Sequence, residues 1–425
     1  MPARSVTTLA RASALVPHML LLPILAYYLW WSVERQDGAL TLPGPDFWRA
    51  IPLPSAPALL MLGGWVLFQA LLEIVAPGRV VQGTALRDGR RLRYRINGWS
   101  AWWLTGGALV GLVGLAWALG DPAAALTVAT VPADAFGHLM SAANVVTLAL
   151  CVDLYRQGRT HPDDGEARTT GRVLHDYVMG TSLNPRTRGF DWKLFCEGRP
   201  GLIGWAVLDL SLAAKQYALH GVVTTPMLVV CALQLWYVAD YFYHEEAILG
   251  TWDIRHENFG WMLCWGDLVW VPFTYTLPAL YLVRHPHGML GWAVAGVVAL
   301  FLAGFAITRG ANAQKHAFRR DPTAPLKWWG GAPRYVATRR GPLLLASGFW
   351  GMGRHVNYLG DLMMGLAWCL PCGFTRPVPY FYAVYLAVLL VHRERRDHAR
   401  CAETYGPDWD AYCARVRWRI VPGLY

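Results

Sequence analysis

The chain has 425 residues, of which 55% are hydrophobic, 16% are charged and 22 are tryptophan. Soluble globular domains carry about 25% charged residues, so this composition is typical of an integral membrane protein and argues against a water-soluble one. The formal net charge of +10 lies mostly in clusters between apolar segments. Membrane orientation explains such clusters, and we expect no nucleic-acid partner.

Apolar segments long enough to cross the hydrocarbon layer, about 20 helical residues each, follow one another along the chain. Unpaired strand edges cannot face lipid, so we expect these segments to be helices. The sequence therefore predicts an all-α, polytopic membrane protein with about ten transmembrane helices, organised as a single integral-membrane domain over residues 1–425. The predicted spans lie near residues 13–31, 56–75, 101–119, 136–154, 201–220, 222–243, 260–283, 288–308, 358–374 and 377–392.

Basic residues cluster after every second predicted span, whereas the loop at 120–134 holds Asp121 and Asp134 and no Lys or Arg. Cytoplasmic loops are enriched in Lys and Arg. We therefore expect these loops and both termini to be cytoplasmic, in a bacterial inner membrane or the endoplasmic reticulum. The clusters comprise Arg79, Arg87, Arg90, Arg91, Arg93 and Arg95; Arg156, Arg159, Arg168 and Arg172; Arg309, Lys315, Arg319, Arg320, Lys327 and Arg334; and the tail from Arg393 to Arg419.

The eight cysteines are scattered through or beside the predicted spans, with Cys369 and Cys372 as the only close pair in sequence. A structural zinc site needs about four convergent ligands. No second CxxC or paired histidine motif supplies the remaining ligands, so we expect packing roles for the cysteines and no metal.

The most informative stretch runs from Leu343 to Asp361, where Arg, His, Asn, Tyr and Asp stand among glycines beside an apolar span. Such a mixture is costly in a membrane unless it binds something polar. A second polar stretch runs from His392 to Tyr425. Both closely resemble the membrane sterol reductases, which reduce the C14 or C7 double bond of sterol precursors with NADPH. The resemblance covers residues from about 170 to 425 and, more loosely, the first four spans. Spans near 13–154 precede a catalytic half at about 200–425.

Lys315 and Arg319 are candidate ligands for phosphate groups. Their spacing of four residues places both cations on one face if the eighth span continues as a helix. Arginine commonly distinguishes the 2′-phosphate of NADPH, although the residues alone are more typical of an ordinary positive-inside anchor. The resemblance implies that both residues hold the NADPH phosphates. It also implies cofactor contacts from Leu345, Trp350, Asn357, Tyr358, Asp397, Cys401, Ala402, Glu403, Thr404, Tyr405 and Tyr412.

No G-x-G-x-x-G motif follows a predicted strand, so C-terminal helices and cytoplasmic loops should form the cofactor site. A tryptophan can pack on a nicotinamide or adenine ring, an asparagine can pair with a carboxamide, and an aspartate can accept from ribose hydroxyls. For Arg354 and His355 a structural role, as partners of carboxylates such as Asp361, stays open beside a role at the cofactor.

A second polar region, from Asp240 to Tyr275, is predicted to form part of a sterol pocket, with hydrogen bonding between helices as the alternative. Its segments His244–Ala247 and Trp270–Tyr275 look like the C14 reductases. The segments Phe259–Trp261 and Trp265–Asp267 look more like the C7 branch. The C14 reading is preferred because Glu245 can take part in proton delivery.

An unconjugated alkene is a poor hydride acceptor, so reduction should begin with protonation, at C15 for a C14 double bond, followed by hydride transfer to C14. The proton donor should lie in an apolar cavity, which keeps an acid protonated. Candidate catalytic residues are Tyr241 and Glu245 on the sterol side, and Asp397 and Tyr412 near the nicotinamide. The sterol would enter from the bilayer lipids and NADPH from the cytoplasm.

Three other functions remain open from the sequence. They are Δ7-sterol reduction, S-adenosylmethionine-dependent methyl transfer of the isoprenylcysteine type, and non-catalytic sterol binding. The methyltransferases share a C-terminal Arg-His-x-x-Tyr-x-Gly pattern but usually have fewer spans. Lys315 with Arg319, and the additional upstream spans, favour NADPH-dependent reduction.

Overall fold

The structure, a computed structural model, describes residues 3–86, 89–160, 169–328 and 331–425, with the backbone alone for residues 3–16. The basic residues Arg87 and Arg168 lie outside the described residues. The chain divides into two compact units, Met1–His287 and Gly288–Tyr425. The single integral-membrane domain stays a prediction, and the units are described in turn.

The N-terminal unit is mostly helical, in agreement with the predicted fold class. Two π-helical segments, Arg199–Ile203 and Gly266–Trp270, and one 3₁₀ segment, Glu245–Gly250, interrupt or join its α-helices. The α-helices are α1 (Ala3–Arg35), α2 (Pro45–Ala50), α3 (Ala56–Val75), α4 (Gly98–Leu119), α5 (Pro122–Asp134), α6 (Phe136–Thr160), α7 (Val173–Met179), α8 (Trp192–Gly198), α9 (Gly204–His220), α10 (Thr225–Tyr243), α11 (Trp252–His256), α12 (Trp261–Trp265), α13 (Val271–Thr274) and α14 (Leu277–Arg284).

Two short antiparallel hairpins add to this unit, pairing β1 (Arg79–Ala85) with β2 (Arg91–Ile96) and β3 (Arg186–Thr187) with β4 (Phe190–Asp191). The sequence analysis assigned residues 79–95 only as a basic loop. Alternation explains the hairpin: Tyr94 is buried in the core while the arginines on either side of it are exposed. Period-two alternation of this kind is the pattern of a half-buried strand.

The C-terminal unit has one long helix, α15 (Gly291–Arg320), followed by a two-stranded hairpin and shorter helices. Two 3₁₀ turns, Leu370–Cys372 and Val378–Tyr380, precede its last long helix. The hairpin consists of β5 (Tyr335–Ala337) and β6 (Leu343–Leu345), and the remaining helices are α16 (Phe349–Met352), α17 (Val356–Ala367), α18 (Phe381–Tyr405) and α19 (Pro407–Arg415).

Small residues bring α15 and α17 into close contact. A Cβ atom added to Gly304 would lie 2.6 Å from the carbonyl oxygen of Gly360, so a side chain at Gly304 would push the helices apart. Thr308 Oγ1, one turn further along α15, donates to the carbonyl oxygen of Asn357 at 3.0 Å and to Asp361 Oδ1 at 3.1 Å. This contact places the start of α17 beside the C-terminal half of α15.

Five helices of the described residues are long and apolar enough to cross a membrane: α3, α4, α6, α10 and α15. The chain is therefore a membrane protein, and the total of about ten spans stays a prediction. Cys369 and Cys372 are buried, in agreement with their predicted packing role.

Candidate active site

Lys315 and Arg319 lie on one face of α15, as their spacing predicts for a continuous helix. Helix α15 runs unbroken from Gly291 to Arg320, which confirms the predicted extension of the eighth span. The Lys315 ammonium nitrogen lies 4.2 Å from the centroid of the Trp350 ring, while Arg319 is exposed. Within the described part of the chain, neither cation forms an ion pair with a carboxylate. Two positive charges are therefore available to an anionic ligand.

Trp350 and Leu345 belong to the hydrophobic core that supports these cations. Trp350 is 5% exposed, and its indole Nε1 donates to the carbonyl oxygen of Ala311 at 2.7 Å. Leu345, at the end of β6, packs into the same core with Phe349 and Val356. The indole is fixed in place, and one face of it meets the Lys315 ammonium group.

Gln314, next to Lys315, fixes the loop that leads into α16, and sequence reasoning missed it. Its Oε1 accepts from the backbone N–H of Phe349 at 2.9 Å, and its Nε2 donates to the carbonyl oxygen of Lys327 at 2.7 Å. Gly348 has φ +63°, and a Cβ atom there would lie 2.5 Å from Gln314 Oε1. Both the backbone angle and the close approach require glycine at this position. The sequence offered no distinct signal, because Gln314 stands among other polar residues, such as Asn312 and Lys315, near the end of the helix.

His355 lies between Asp397 and Tyr358. Its Nε2 is 3.4 Å from Asp397 Oδ2, and its ring stacks on Tyr358 with 4.9 Å between centroids. Burial, assisted by the charges of Lys315 and Arg354, lowers the pKa of His355 to about 3. The imidazole is therefore neutral at physiological pH, and its Nε2 lies against the Asp397 carboxylate.

The structural alternative for Arg354 and His355, as partners of carboxylates such as Asp361, agrees with the structure for His355 alone, and there with a different carboxylate. Asp361 accepts from Thr308, whereas His355 contacts Asp397. Arg354 Nη1 donates to the carbonyl oxygen of Val416 at 2.8 Å. Backbone carbonyl groups of the C-terminal tail, those of Val416 and Arg417, bind this guanidinium.

Asn357 carries an unpaired acceptor. Its backbone carbonyl is held by Thr308, but its side-chain Oδ1 is buried without a hydrogen-bond partner among the described residues. Buried polar atoms are nearly always paired, so an orphaned acceptor calls for a ligand or a water molecule. An amide or hydroxyl group of a cofactor would satisfy it.

Helix α18 contributes Asp397 and, one turn later, Cys401, whose Sγ lies 4.0 Å from Asp397 Oδ2. Burial, with Asp397 adding to it, raises the pKa of Cys401 to about 11, so this thiol is not a nucleophile at neutral pH. Tyr405 and Cys401 pack against a small core that contains Trp409 and Tyr412. The other members of the predicted segment are more open: Ala402 and Glu403 are exposed and Thr404 is partly buried.

Tyr412 on α19 is 5% exposed, with its ring 5.1 Å from that of Trp409. Burial raises its pKa above the usual range for tyrosine. The phenol therefore stays protonated and can only act as a neutral donor or acceptor. The structure thus brings together Lys315, Leu345 and Trp350 in one cluster and Tyr358, Asp397, Cys401, Tyr405 and Tyr412 around the α18 face.

In the N-terminal unit, Glu245 lies in a buried ionic cluster. Its Oε1 is 3.1 Å from Arg199 Nη2, and its Oε2 accepts from the backbone N–H of Gly98 at 2.7 Å. The same Arg199 nitrogen lies 2.8 Å from Glu73 Oε2 and donates to Asn97 Oδ1. Burial raises the pKa of Glu245, although Arg199 opposes the shift. Both carboxylate oxygens are therefore engaged by the protein itself.

Sequence reasoning missed Arg199, Glu73 and Asn97, which come from three elements far apart in the chain. Asn97 also donates from Nδ2 to the carbonyl oxygens of Leu72, Glu73 and Ala76, and so caps the end of α3. A lone arginine before an apolar span was the only sequence signal. The positive-inside pattern explains such an arginine equally well.

Tyr241, one turn before Glu245, differs from it in having a free hydroxyl. The Tyr241 oxygen is buried without a hydrogen-bond partner among the described residues. Its ring packs beside Leu194, Ile248 and Ile254. A buried phenol with no protein partner can donate to a ligand.

The two π-helical segments of this unit pack closely against each other. Gly201 permits this approach, because a side chain there would collide with the carbonyl oxygen of Asp267. Asp267 is 8% exposed, and its Oδ2 has no hydrogen-bond partner among the described residues.

Trp261 and Trp265 stack with 5.5 Å between centroids, and Trp265 Nε1 donates to Asn144 Oδ1 at 2.8 Å. Single π-helical turns occur often at functional sites.

Comparison with known proteins gives consistent matches over nearly the whole chain. The sequence profile described as the ergosterol biosynthesis ERG4/ERG24 family matches residues 16–425. The delta(14)-sterol reductase of Methylotuvimicrobium alcaliphilum is 50% identical, over 96% of this chain and 93% of that protein. The delta(14)-sterol reductase of Dictyostelium discoideum is 41% identical, over 95% and 89% respectively. Delta(14)-sterol reductase TM7SF2 of Mus musculus is 41% identical, over 96% and 95%.

Proposed function

Because the chain belongs to the ergosterol biosynthesis ERG4/ERG24 family, we propose that it reduces the C14–C15 double bond of a sterol precursor with NADPH. The observation that carries this proposal is the 50% identity to a delta(14)-sterol reductase over 96% of the chain. The same relatives support an oxidoreductase that acts on a CH–CH group in sterol biosynthesis. They do not favour the Δ7 or methyltransferase alternatives.

The C-terminal unit offers groups that fit NADPH. Lys315 and Arg319, which form no ion pair within the described ranges, would bind phosphate. Asn357 Oδ1, which has no hydrogen-bond partner there, would accept from an amide or hydroxyl group. Asp397, which lies 3.4 Å from the neutral His355, would accept from a ribose hydroxyl. When bound, NADPH supplies the hydride that reaches C14.

Tyr241 is the proton donor that the geometry favours. Its hydroxyl is buried and unpaired among the described residues, whereas both oxygens of Glu245 are already engaged by Arg199 and Gly98. Protonation of an alkene requires a donor in a water-excluded site. We propose that the Tyr241 O–H protonates C15 and that Glu245 acts through the local electrostatic field. Tyr412 and Asp397 would serve the nicotinamide side.

The apolar helices support a membrane substrate. The sterol would enter from the bilayer, and NADPH from the aqueous side that carries the arginine-rich loops. We place that side and both termini in the cytoplasm by the positive-inside rule. The host membrane would be a bacterial inner membrane or the endoplasmic reticulum.

The direct test incubates the purified protein in detergent with NADPH and either a Δ14-sterol or a Δ7-sterol, followed by mass spectrometry of the products. We expect the Δ14-sterol to gain two mass units of hydrogen and the Δ7-sterol to remain. A parallel titration with S-adenosylmethionine should show no binding. Reduction of the Δ7-sterol alone, or binding of S-adenosylmethionine alone, would contradict the proposal.

A further inference from the structure

Glu394 on α18 is a fully buried carboxylate that binds the C-terminal tail. Its side chain has no exposed surface, and its Oε2 lies 3.0 Å from Arg419 Nη1. The Tyr425 hydroxyl donates to the same oxygen at 3.1 Å. Such a charge-assisted pair is strong when it is shielded from water.

The tail that carries Arg419 also binds the loop before α17. The backbone N–H of Arg354 donates to the carbonyl oxygen of Trp418 at 2.9 Å, and that of His355 donates to the carbonyl oxygen of Arg419 at 2.7 Å. The Arg354 guanidinium adds a bond to the carbonyl oxygen of Val416 at 2.8 Å. The position of His355 is therefore set by the residue that binds Glu394.

These contacts close into a ring. Glu394 binds Arg419, Arg419 binds His355 through its backbone, and His355 contacts Asp397 at 3.4 Å. Asp397 follows Glu394 by three residues on α18 and so lies on the same helix face. Glu394 and Asp397, one turn apart on α18, thus both hold the loop that ends at His355. Asn357 and Tyr358 follow this loop in the first turn of α17.

We propose that Glu394 and Arg419 are positioning residues for the cofactor, and this rests on the NADPH site proposed above. Neither residue needs to touch the cofactor. Their ion pair holds His355, and through it the Asp397 carboxylate, in the orientation that accepts a ribose hydroxyl. A site held in its binding geometry before the ligand arrives binds more tightly, because less ordering remains to be done on binding.

Arg419→Gln tests the proposal, with Arg417→Gln as the matched control. Arg417 has an exposed side chain and contributes its carbonyl oxygen to Arg354, so the control has the same charge change in the same tail. We expect Arg419→Gln to weaken NADPH and NADH alike by about tenfold, the scale of one charge-assisted contact. Calorimetric titration of the full-length protein in detergent measures both affinities. Turnover at saturating NADPH should stay within about twofold.

A double-mutant cycle between Arg419 and Asp397, measured on NADPH affinity, distinguishes a positioning role of Arg419 from a general loss of stability. If the ring of contacts acts as a unit, Arg419→Gln combined with Asp397→Asn should weaken NADPH no more than about twofold beyond the stronger single variant. Multiplying losses would overturn the proposal, as would an Arg419→Gln variant that binds NADPH like the wild type.

Tyr425→Phe removes a single hydroxyl and provides a milder variant, which decides the matter if Arg419→Gln does not fold. We expect a loss of about threefold in affinity for both cofactors. An unchanged affinity in this variant would overturn the proposal. Wild-type protein without measurable NADPH affinity would instead contradict the proposed function itself, so the two failures are distinguishable.

Discussion

The two units differ in what contacts their internal cations: carboxylates surround the cation in one unit, and an aromatic ring contacts the cation in the other. In the N-terminal unit, Arg199 is 1% exposed, and its guanidinium contacts Glu73, Glu245 and Asn97. In the C-terminal unit, Lys315 meets the face of Trp350, and it forms no ion pair among the described residues. A cation whose charge is balanced by carboxylates of the protein stabilises the fold. A cation that contacts only an aromatic ring can still bind an anionic ligand. We therefore expect Arg199 to stabilise the fold and propose that Lys315 binds an anionic ligand.

Tyr241→Phe should have the largest effect, because the buried Tyr241 hydroxyl has no hydrogen-bond partner among the described residues and is the proposed proton donor. We expect turnover to fall by about 10²-fold to 10⁴-fold, the usual contribution of a general acid. Stability in detergent should change little, since the lost hydroxyl had no partner among the described residues. Kinetic assays and thermal unfolding measure the two quantities.

The control for Tyr241→Phe is Tyr243→Phe. Tyr243 lies on the same helix and is 68% exposed, so the loss of its hydroxyl should leave turnover unchanged. Glu245→Gln distinguishes the two candidate acids. A fall in turnover for Glu245→Gln that matches or exceeds that of Tyr241→Phe would transfer the donor role to Glu245.

Arg199→Ala should destabilise the protein by about 3–5 kcal/mol, because two buried carboxylates lose their shared cation. Thermal unfolding of the purified protein checks this expectation. Arg79→Ala is the matched control, since its ion pair with Glu246 is exposed and should be worth at most about 1 kcal/mol. Equal losses of stability for the two substitutions would contradict the distinction between the buried ion pairs of Arg199 and the exposed ion pair of Arg79.

Lys315→Ala should weaken NADPH by about tenfold to a hundredfold, since a contact with a charged group contributes about 1.5–3 kcal/mol. Arg319→Ala should behave similarly. The loss for NADH should be clearly smaller if these cations bind the 2′-phosphate, and stability should be retained because neither residue forms an ion pair in the described part of the chain. Equal losses for both cofactors would exclude the 2′-phosphate assignment.

The smallest effect concerns pH. Burial lowers the pKa of His355 from 6.5 to about 3, so the unfolded chain binds a proton below pH 6.5 that the folded protein does not. Its contribution to stability therefore falls as the pH drops below 6.5. Between pH 6.5 and 5.5 the wild type should lose about 1 kcal/mol more than His355→Asn. Parallel pH dependences of the two proteins would show that His355 titrates normally.

The arrangement of Lys315 and Arg319 could be predicted because it depends on local helical periodicity alone. The resemblance located the polar stretches around Asn357 and Asp397, which the structure places on α17 and α18; a cofactor site there stays a prediction. The Arg199 cluster could not be predicted, because Glu73, Asn97, Arg199 and Glu245 meet only through the packing of separate elements. The β1–β2 hairpin was missed because its arginines were read as a charge cluster and not as one face of a strand.

Deuterium transfer tests the central claim most directly. The protein should be incubated with a Δ14-sterol and NADPH that carries deuterium at the transferred position of C4, and the product should be examined by NMR. The account predicts deuterium at C14 of the saturated sterol, and deuterium at C15 when unlabelled NADPH is used in D₂O. Deuterium from NADPH at C15, or none in the product, would contradict protonation at C15 followed by hydride transfer to C14.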